Sequence, residues 1–350
     1  MPAPTSMLRQ VWADDCDFAA WRLPNESAIS LLHSVRSYTY NNIGALNGRR
    51  GFAIFPFLPS PQHPGVLLEE GRCERFGMST VEPDMSQFLY PKERPAVEAP
   101  ADYVERFEKM MQMLRSRRLS KIVLSYSFEY MREEYPAADA FMLACRLYPS
   151  AYVYLCRSQA SGSWMGCTPE ILLAGEGRKW RTMALAGTAS DAQSLANAKN
   201  SEEQQLVAEY IRSRLLSLGI EAEEDGPRAV EVDSALMHLC TDFSFAIPDR
   251  QQLGSILEAL HPTPAVSGMP PAEAQAAILR AENYDRAYYT GFVGMLDPEG
   301  CANVYVNLRC MKIDPKAVTL YAGGGLMPAS EPLSEWRELT DKLQTMLSIL

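Results

Sequence analysis

The stretch TGFVGMLDPEGCANVYVNLRC, residues 290–310, decides how this chain can fold. Apolar residues recur at every second position in both of its halves, the period of a half-buried strand. Asp-Pro-Glu-Gly at 297–300 is a turn signal between them. Two short strands joined so tightly must pair antiparallel, because a parallel pair needs a crossover of roughly a dozen residues or more. A third strand, AVTLYAG, follows at 317–323, and a helix, SEWRELTDKLQTML, closes the chain.

The same mixture extends outward. KIVLSYSFEY (121–130), AYVYLCR (151–157), SWMGCT (163–168), EILLAGE (170–176) and RTMALAG (181–187) read as further strands. ADYVERFEKMMQMLRSRRL (101–119) places Val104, Phe107, Met111 and Leu114 on one helical face. Helices are also expected at 137–148, 201–218, 251–260 and 271–282, whereas the small, polar run 188–200 reads as a mobile loop. No regular strand–helix–strand alternation and no GxGxxG after a strand are present. The fold class is therefore α+β, with one or two large, mostly antiparallel β-sheets and helices packed outside. PDMSQFLYPKERPAVEAP (83–100) carries four prolines in eighteen residues and reads as a connector. It separates an N-terminal part, 1–100, packed into the same fold, from a main region, 101–350.

Composition narrows the function. The 350 residues carry 33 basic and 43 acidic side chains, a formal charge of −10, which argues against a nucleic-acid partner or a polybasic membrane surface. An anionic small molecule would then need a local cluster of cations. Eight cysteines without a CxxC pair fit reduced thiols, no apolar run reaches the ~20 residues of a membrane span, and the start lacks a secretory layout, so the expected location is cytoplasmic.

Several residues admit a chemical reading beside an ordinary one. Glu170 precedes an apolar strand: it is either a solvated strand-end glutamate or a desolvated general acid. Lys121 is the only charge before a strand core, either an edge lysine or a base with a lowered pKa. Glu202 and Glu203 begin a helix, where acidic residues favour the macrodipole or point at a cation. On the last helix Glu335, Glu338 and Lys342 lie three and four apart on one face, either surface pairs or one wall of a site. Glu338 with Glu203 could hold a hard cation such as Mg²⁺. Arg309, on an alternating strand with Asn307 and Tyr305, could form a cross-strand salt bridge or grip a carboxylate. LHPTPAVSGMP (260–270) combines stiff and small residues suited to close ligand approach, and His238 is an ordinary core histidine in isolation. GxSxG, HExxH and Walker motifs are absent, and the glycine run 323–325 lacks the Lys-Ser/Thr of a phosphate loop.

In order, KIVLS, GCTPEILL, LAGT, KNSEEQQLV, LMHLCT, LHPTPAVSG, ENYDRAYYTGFVG, VNLRC and AGGGLMPASEPLSEWRELTDK resemble the blocks of the chorismate-utilising enzymes, nearest to isochorismate synthases of menaquinone and siderophore pathways. The resemblance covers about residues 100–350. It implies an isomerase in which chorismate, with Mg²⁺, gains a hydroxyl from water at C2 and loses its C4 hydroxyl. On these blocks Lys121 matches the base, Glu170 the acid, and Glu203 and Glu338 the metal carboxylates, with Glu335 acting through metal-bound water. Arg309, Lys342, Gly187, Thr188 and the backbone at Gly323, Gly324 and Gly325 match substrate-carboxylate positions. His238 and Ala265 match residues beside the ring, and Tyr289 an aromatic position of the pocket. The chain departs from the pattern at Tyr126, where arginine is common, and at Glu202 and Gln204, where histidines flank the metal glutamate.

Lys121 argues against an anthranilate synthase, which commonly has glutamine there. Salicylate synthase, a non-catalytic metabolite-binding relative and an unrelated Mg²⁺-dependent hydrolase are the competing readings. A monomer serving menaquinone synthesis is the expectation carried by the resemblance and by the lack of a fused module.

Overall fold

The computed structural model describes residues 4–78, 88, 95–233 and 236–350. Most of the proline-rich connector, 83–100, lies outside the described residues. The chain begins with α1 (Pro4–Ala13), β1 (Phe18–Arg22), β2 (Ala28–Tyr40), β3 (Gly51–Phe55) and β4 (Gly65–Gly77). Next come α2 (Ala101–Arg115), β5 (Lys121–Met131), α3 (Ala137–Leu147), β6 (Tyr152–Ser158) and β7 (Gly162–Thr168). They are followed by β8 (Ile171–Glu176), β9 (Lys179–Ala189), α4 (Ala192–Leu195), α5 (Ala198–Ser217), β10 (Ala222–Asp233) and β11 (Leu236–Phe245). The last third runs α6 (Leu253–Leu260), β12 (Gly268–Met269), α7 (Pro271–Ala281), β13 (Phe292–Leu296), β14 (Cys301–Val306), β15 (Cys310–Ile313), β16 (Ala317–Leu326) and α8 (Pro332–Leu347).

The hairpin expected at 290–310 forms as β13 and β14, with Phe292 opposite Val306 and Met295 opposite Asn303. In its turn the Asp297 side chain accepts a hydrogen bond from the Glu299 amide at 2.9 Å. Among the described residues all strands join one sixteen-stranded sheet in the order β10-β11-β9-β8-β14-β13-β3-β4-β2-β1-β6-β7-β15-β16-β5-β12. Every pairing described in it is antiparallel.

This sheet folds over on itself. Tyr152 on β6 and Tyr305 on β14 stack at 4.2 Å although their strands stand six places apart. Six steps across a flat sheet would separate them by roughly 29 Å. The aromatic core holding Tyr152, Trp164, Tyr288, Tyr305 and Tyr321 therefore lies between the two halves of the sheet. One outer core packs α1, α2, α3, α7 and α8 on the β5–β7 and β15–β16 side, and the other packs α5 and α6 on the β8, β9 and β11 side.

Two local expectations are corrected. Residues 188–200 are an anchored segment: the Asp191 side chain caps α4 by accepting from the Ser194 amide, Asn197 caps α5 in the same way, and Leu195 is buried. VNLRC is not one alternating strand. β14 ends at Val306 and β15 begins at Cys310. Between them Asn307 turns inward, accepting from the Tyr154 hydroxyl and donating to the Tyr288 carbonyl. Arg309 takes a left-handed backbone with φ of 45°. Among the described residues no helix is long and apolar enough to cross a membrane, and all eight cysteines are free thiols.

Candidate active site

The break at 307–309 sets the geometry of the site. β14 pairs with β8 and β13 in one half of the sheet, while β15 pairs with β7 and β16 in the other. The chain crosses between halves there, and it crosses again at Pro169–Glu170, between β7 and β8. The two crossings are tied together: the Cys167 amide donates to the Arg309 carbonyl at 2.9 Å, and the Val306 amide donates to the Glu170 carbonyl at 2.9 Å. Side chains at such crossings leave the pleat and face the space between the halves.

That space is a cavity of about 660 Å³, counting its mouth to solvent. Glu170, Glu203, His238, Arg309 and Lys342 line it, as do Gly187, Thr188, Ala265, Tyr289, Gly323 and Gly325. Of the remaining expected site residues, Lys121 stands directly behind Glu203, its Nζ 2.8 Å from Oε1 and its side chain wholly buried. Gly324, Glu335 and Glu338 adjoin: a Cβ on Gly324 would lie 3.4 Å from a Glu335 oxygen and 3.7 Å from a Glu338 oxygen. The structure thus brings all of the expected residues to one place, from α5, α8, β5, β9, β11, β16, the two crossings, the segment before β12 (Ala265) and the turn before β13 (Tyr289).

Burial decides the protonation of two of them. Glu170 is 2 % exposed, and desolvation drives its pKa up to about 8 against the opposing pull of Lys121 and Lys342. Its Oε1 has no hydrogen-bond partner. His238 goes the other way: burial, then the charges of Lys342 and Arg309, push it down to about 3, so the ring is neutral. Its Nδ1 lies 3.0 Å from the Gly187 carbonyl, which can only accept, so Nδ1 carries the proton. Buried Nε2 has no partner and is left as an acceptor.

The acidic wall is balanced by ammonium groups. Lys342 on α8 donates to Glu338 one turn earlier at 2.7 Å and to the Gly323 carbonyl at 3.2 Å. Burial raises the Glu338 carboxyl, but Lys342, Lys199 and the Thr188 hydroxyl outweigh it and hold the group below its ordinary value. Glu335 stays raised through burial and the neighbouring Glu338. Lys199 donates to Glu335, and Glu335, Glu338 and Glu203 together raise its pKa against burial. Sequence reading missed Lys199, though it precedes Glu203 by one helical turn. It also missed Thr345, which meets Arg309 Nη1 at 3.0 Å from α8.

Carboxylates of Glu203, Glu335 and Glu338 stand around Gly324 and Gly325, and one buried Glu335 oxygen has no partner, although among the described residues no three acidic, histidine or cysteine side chains stand gathered as a metal site. Backbone without side chains is required there. A Cβ on Gly325 would overlap Glu203 and come within 2.9 Å of Lys121 Cε. Gly325→Ala should therefore lower turnover on the order of 10²-fold and cost about 1–3 kcal/mol of stability. Steady-state kinetics and urea denaturation check both effects.

The departures lie off the cavity or act as structure. The Tyr126 hydroxyl bonds Asp102, and its ring meets Trp336 at 5.5 Å on the outer helical side. Gln204 Nε2 donates to the Ala184 carbonyl at 3.0 Å and to Thr241 at 3.1 Å, tying α5 to β9 and β11, while Glu202 is exposed.

The folded-over antiparallel sheet thus encloses a cavity lined by paired acids and cations. The chain belongs to the family of chorismate binding enzymes, which matches residues 75–350. It is similar to isochorismate synthase EntC of Escherichia coli K12, with 30% identity over 278 residues, 75% of this chain and 71% of the relative. A salicylate biosynthesis isochorismate synthase of Pseudomonas aeruginosa is 33% identical over 257 residues, 70% of this chain and 51% of that one. The fold is shared with MenF, the menaquinone-specific isochorismate synthase of E. coli, at a TM-score of 0.78 and 22% identity, covering 99% of this chain and 91% of that one.

Proposed function

We propose that the protein converts chorismate to isochorismate with Mg²⁺ bound. The observation that carries the reading is Glu170, a carboxyl that keeps its proton near neutral pH inside the cavity that Lys121 and Glu203 adjoin. Water adds at C2 of the ring as Lys121 accepts its proton. The ring double bonds shift, and the C4 hydroxyl leaves as water with the proton from Glu170. Atoms balance as one water in and one out. Family membership and the likeness to isochorismate synthases support this chemistry.

Binding follows from charge. Apart from Lys121 and Glu170, which exchange protons with the substrate, Lys199, Lys342 and Arg309 face Glu203, Glu335 and Glu338, no net charge within a −10 chain. Chorismate is a dianion, so a further cation is needed to hold it. Glu203, Glu335 and Glu338 are the residues that would hold Mg²⁺, which when bound offsets the charge of a substrate carboxylate. Arg309 and Lys342 grip carboxylates, and His238 Nε2 accepts from a ring hydroxyl rather than meeting an anion.

The test is incubation with chorismate and Mg²⁺, with and without EDTA, followed by chromatography. Isochorismate is expected, with formation lost in EDTA. Stoichiometric pyruvate with fluorescent salicylate would replace the isomerase reading by that of a salicylate synthase.

A further inference from the structure

ENYDRAYYTGFVG contains a buried ion pair that the chemistry above does not use. Glu282 and Arg286 are 1% and 2% exposed at their side chains. Arg286 engages its partner in a fork, Nε to Oε2 at 2.7 Å and Nη2 to Oε1 at 2.6 Å. Its remaining N–H groups reach three separate segments: the Val266 carbonyl at 2.9 Å, the Thr290 hydroxyl at 3.3 Å and the Val123 carbonyl at 2.8 Å. A guanidinium has five donors, and all five are used. The Phe57 ring covers the group, 4.7 Å from its centroid.

Val123, Val266 and Thr290 all line the cavity. One planar cation thus joins β5, the Pro-rich segment 262–266 and the turn entering β13. Glu282 adds a second hold on β5, accepting from both the amide and the hydroxyl of Ser125 at 2.8 Å. Lys121, Val123 and Ser125 alternate onto one face of that strand. The Val123 amide in turn donates to the Ser267 carbonyl at 2.7 Å, and Met269 pairs with Lys121. The ledge carrying Lys121 is therefore fixed, two and four residues along, by Arg286 and Glu282.

We propose that Arg286, oriented by Glu282, is a positioning residue that sets the Lys121 strand against the segment 262–266 and so holds the proposed base at its reacting distance. The inference rests on the reading of Lys121 given above. A buried pair costs desolvation and is not in itself a source of stability. Its value here is geometric, since an arginine fork fixes three backbone segments in one plane where a lysine supplies three donors from a single point.

Arg286→Lys keeps the charge opposite Glu282 but cannot reach all three segments. It should lower kcat on the order of 10²-fold, the effect of a misplacement of about 1 Å. KM for chorismate should stay within a few-fold, because Arg309 and Lys342 are held from α8, by Thr345 and Glu338, and neither is bonded by Arg286 or Glu282. Hydrogen exchange supplies a readout independent of substrate: the amides of Val123 and Ser125 should exchange faster than in the wild type while β8, β9 and β14 stay protected. Should Arg286→Lys fail to fold, the double variant Glu282→Gln/Arg286→Met leaves no unpaired buried charge, and the same pattern is expected of it. Unchanged kcat, or exchange raised uniformly across the sheet, overturns the proposal. A wild-type protein inactive on chorismate would instead remove the functional reading, and the exchange pattern would still decide whether Arg286 orders the ledge.

Discussion

Glu170→Gln is expected to lower chorismate turnover by a factor on the order of 10²–10⁴ and, at pH 8, to make the protein more stable. Both effects have one cause. The carboxyl sits 2 % exposed with a bare Oε1, and burial holds its pKa at about 8 against an ordinary 4.5. Near neutral pH it therefore carries the proton that the leaving hydroxyl needs, and turnover should fall as pH rises through about 8. For stability, the folded state keeps a proton that the unfolded chain releases near 4.5. Its contribution is fully present below 4.5 and is lost as pH rises through about 8. The loss amounts to about 4 kcal/mol at pH 8 by linkage. Glutamine fills the same space without an ionisable proton, so the variant escapes this loss. Urea unfolding of both proteins at pH 5 and pH 8 reads it: the wild type should weaken between the two, relative to the variant. Retained turnover within tenfold would remove Glu170 as the acid.

Glu170 was legible as a candidate acid in TPEILL because a carboxyl beside three large aliphatic residues must either reach water or lose its charge. What GCTPEILL does not encode is that the chain changes sheet halves at Pro169–Glu170. That depends on which strands β7 and β8 pair with beyond their neighbours β6 and β9, and those further partners, β15 and β14, lie more than a hundred residues away. Arg309 shows the same limit in reverse. Period-two alternation through NVYVNLRC reads as a continuous strand, yet the chain breaks after Asn307, whose backbone still bonds Thr290 and Gly291 while its side chain is held by Tyr154 and Tyr288. A long-range contact overrides the local pattern, and Arg309 reaches the cavity from a left-handed break. The antiparallel class was legible because hairpins are local. The closure of the sheet was not, because Tyr152 stacking on Tyr305 joins strands with no sequence proximity. On α8, Glu335, Glu338 and Lys342 were readable as one face from their spacing. Their partners Lys199 and Thr188 come from other elements, inside the KNSEEQQLV and LAGT blocks, where Thr188 was named as a substrate position and Lys199 was not.

Lys121→Met should abolish turnover to a similar degree, on the order of 10²–10⁴-fold, and should also change how the protein responds to Mg²⁺. The Lys121 side chain is 0% exposed and that of Glu203 is 10% exposed, with 2.8 Å between Nζ and Oε1. Removing Nζ leaves the Glu203 carboxylate without this partner in a nearly dry site, which costs about 1–3 kcal/mol. In EDTA the variant should therefore melt well below the wild type. Adding Mg²⁺ should close much of that gap. A cation that binds only the folded state stabilises by about 2.7 kcal/mol at a hundred times its Kd. In the wild type the metal must share or displace the lysine at Glu203, so part of its binding energy is offset. In the variant Glu203 is free to take the metal with no competitor. The Mg²⁺-induced rise in Tm should accordingly be larger for Lys121→Met than for the wild type, although neither EDTA nor Mg²⁺ restores its turnover. Equal rises in the two proteins would take Glu203 out of the metal site. Surviving turnover would take Lys121 out of the role of base, and the two results are independent because one is read by melting and the other by product formation.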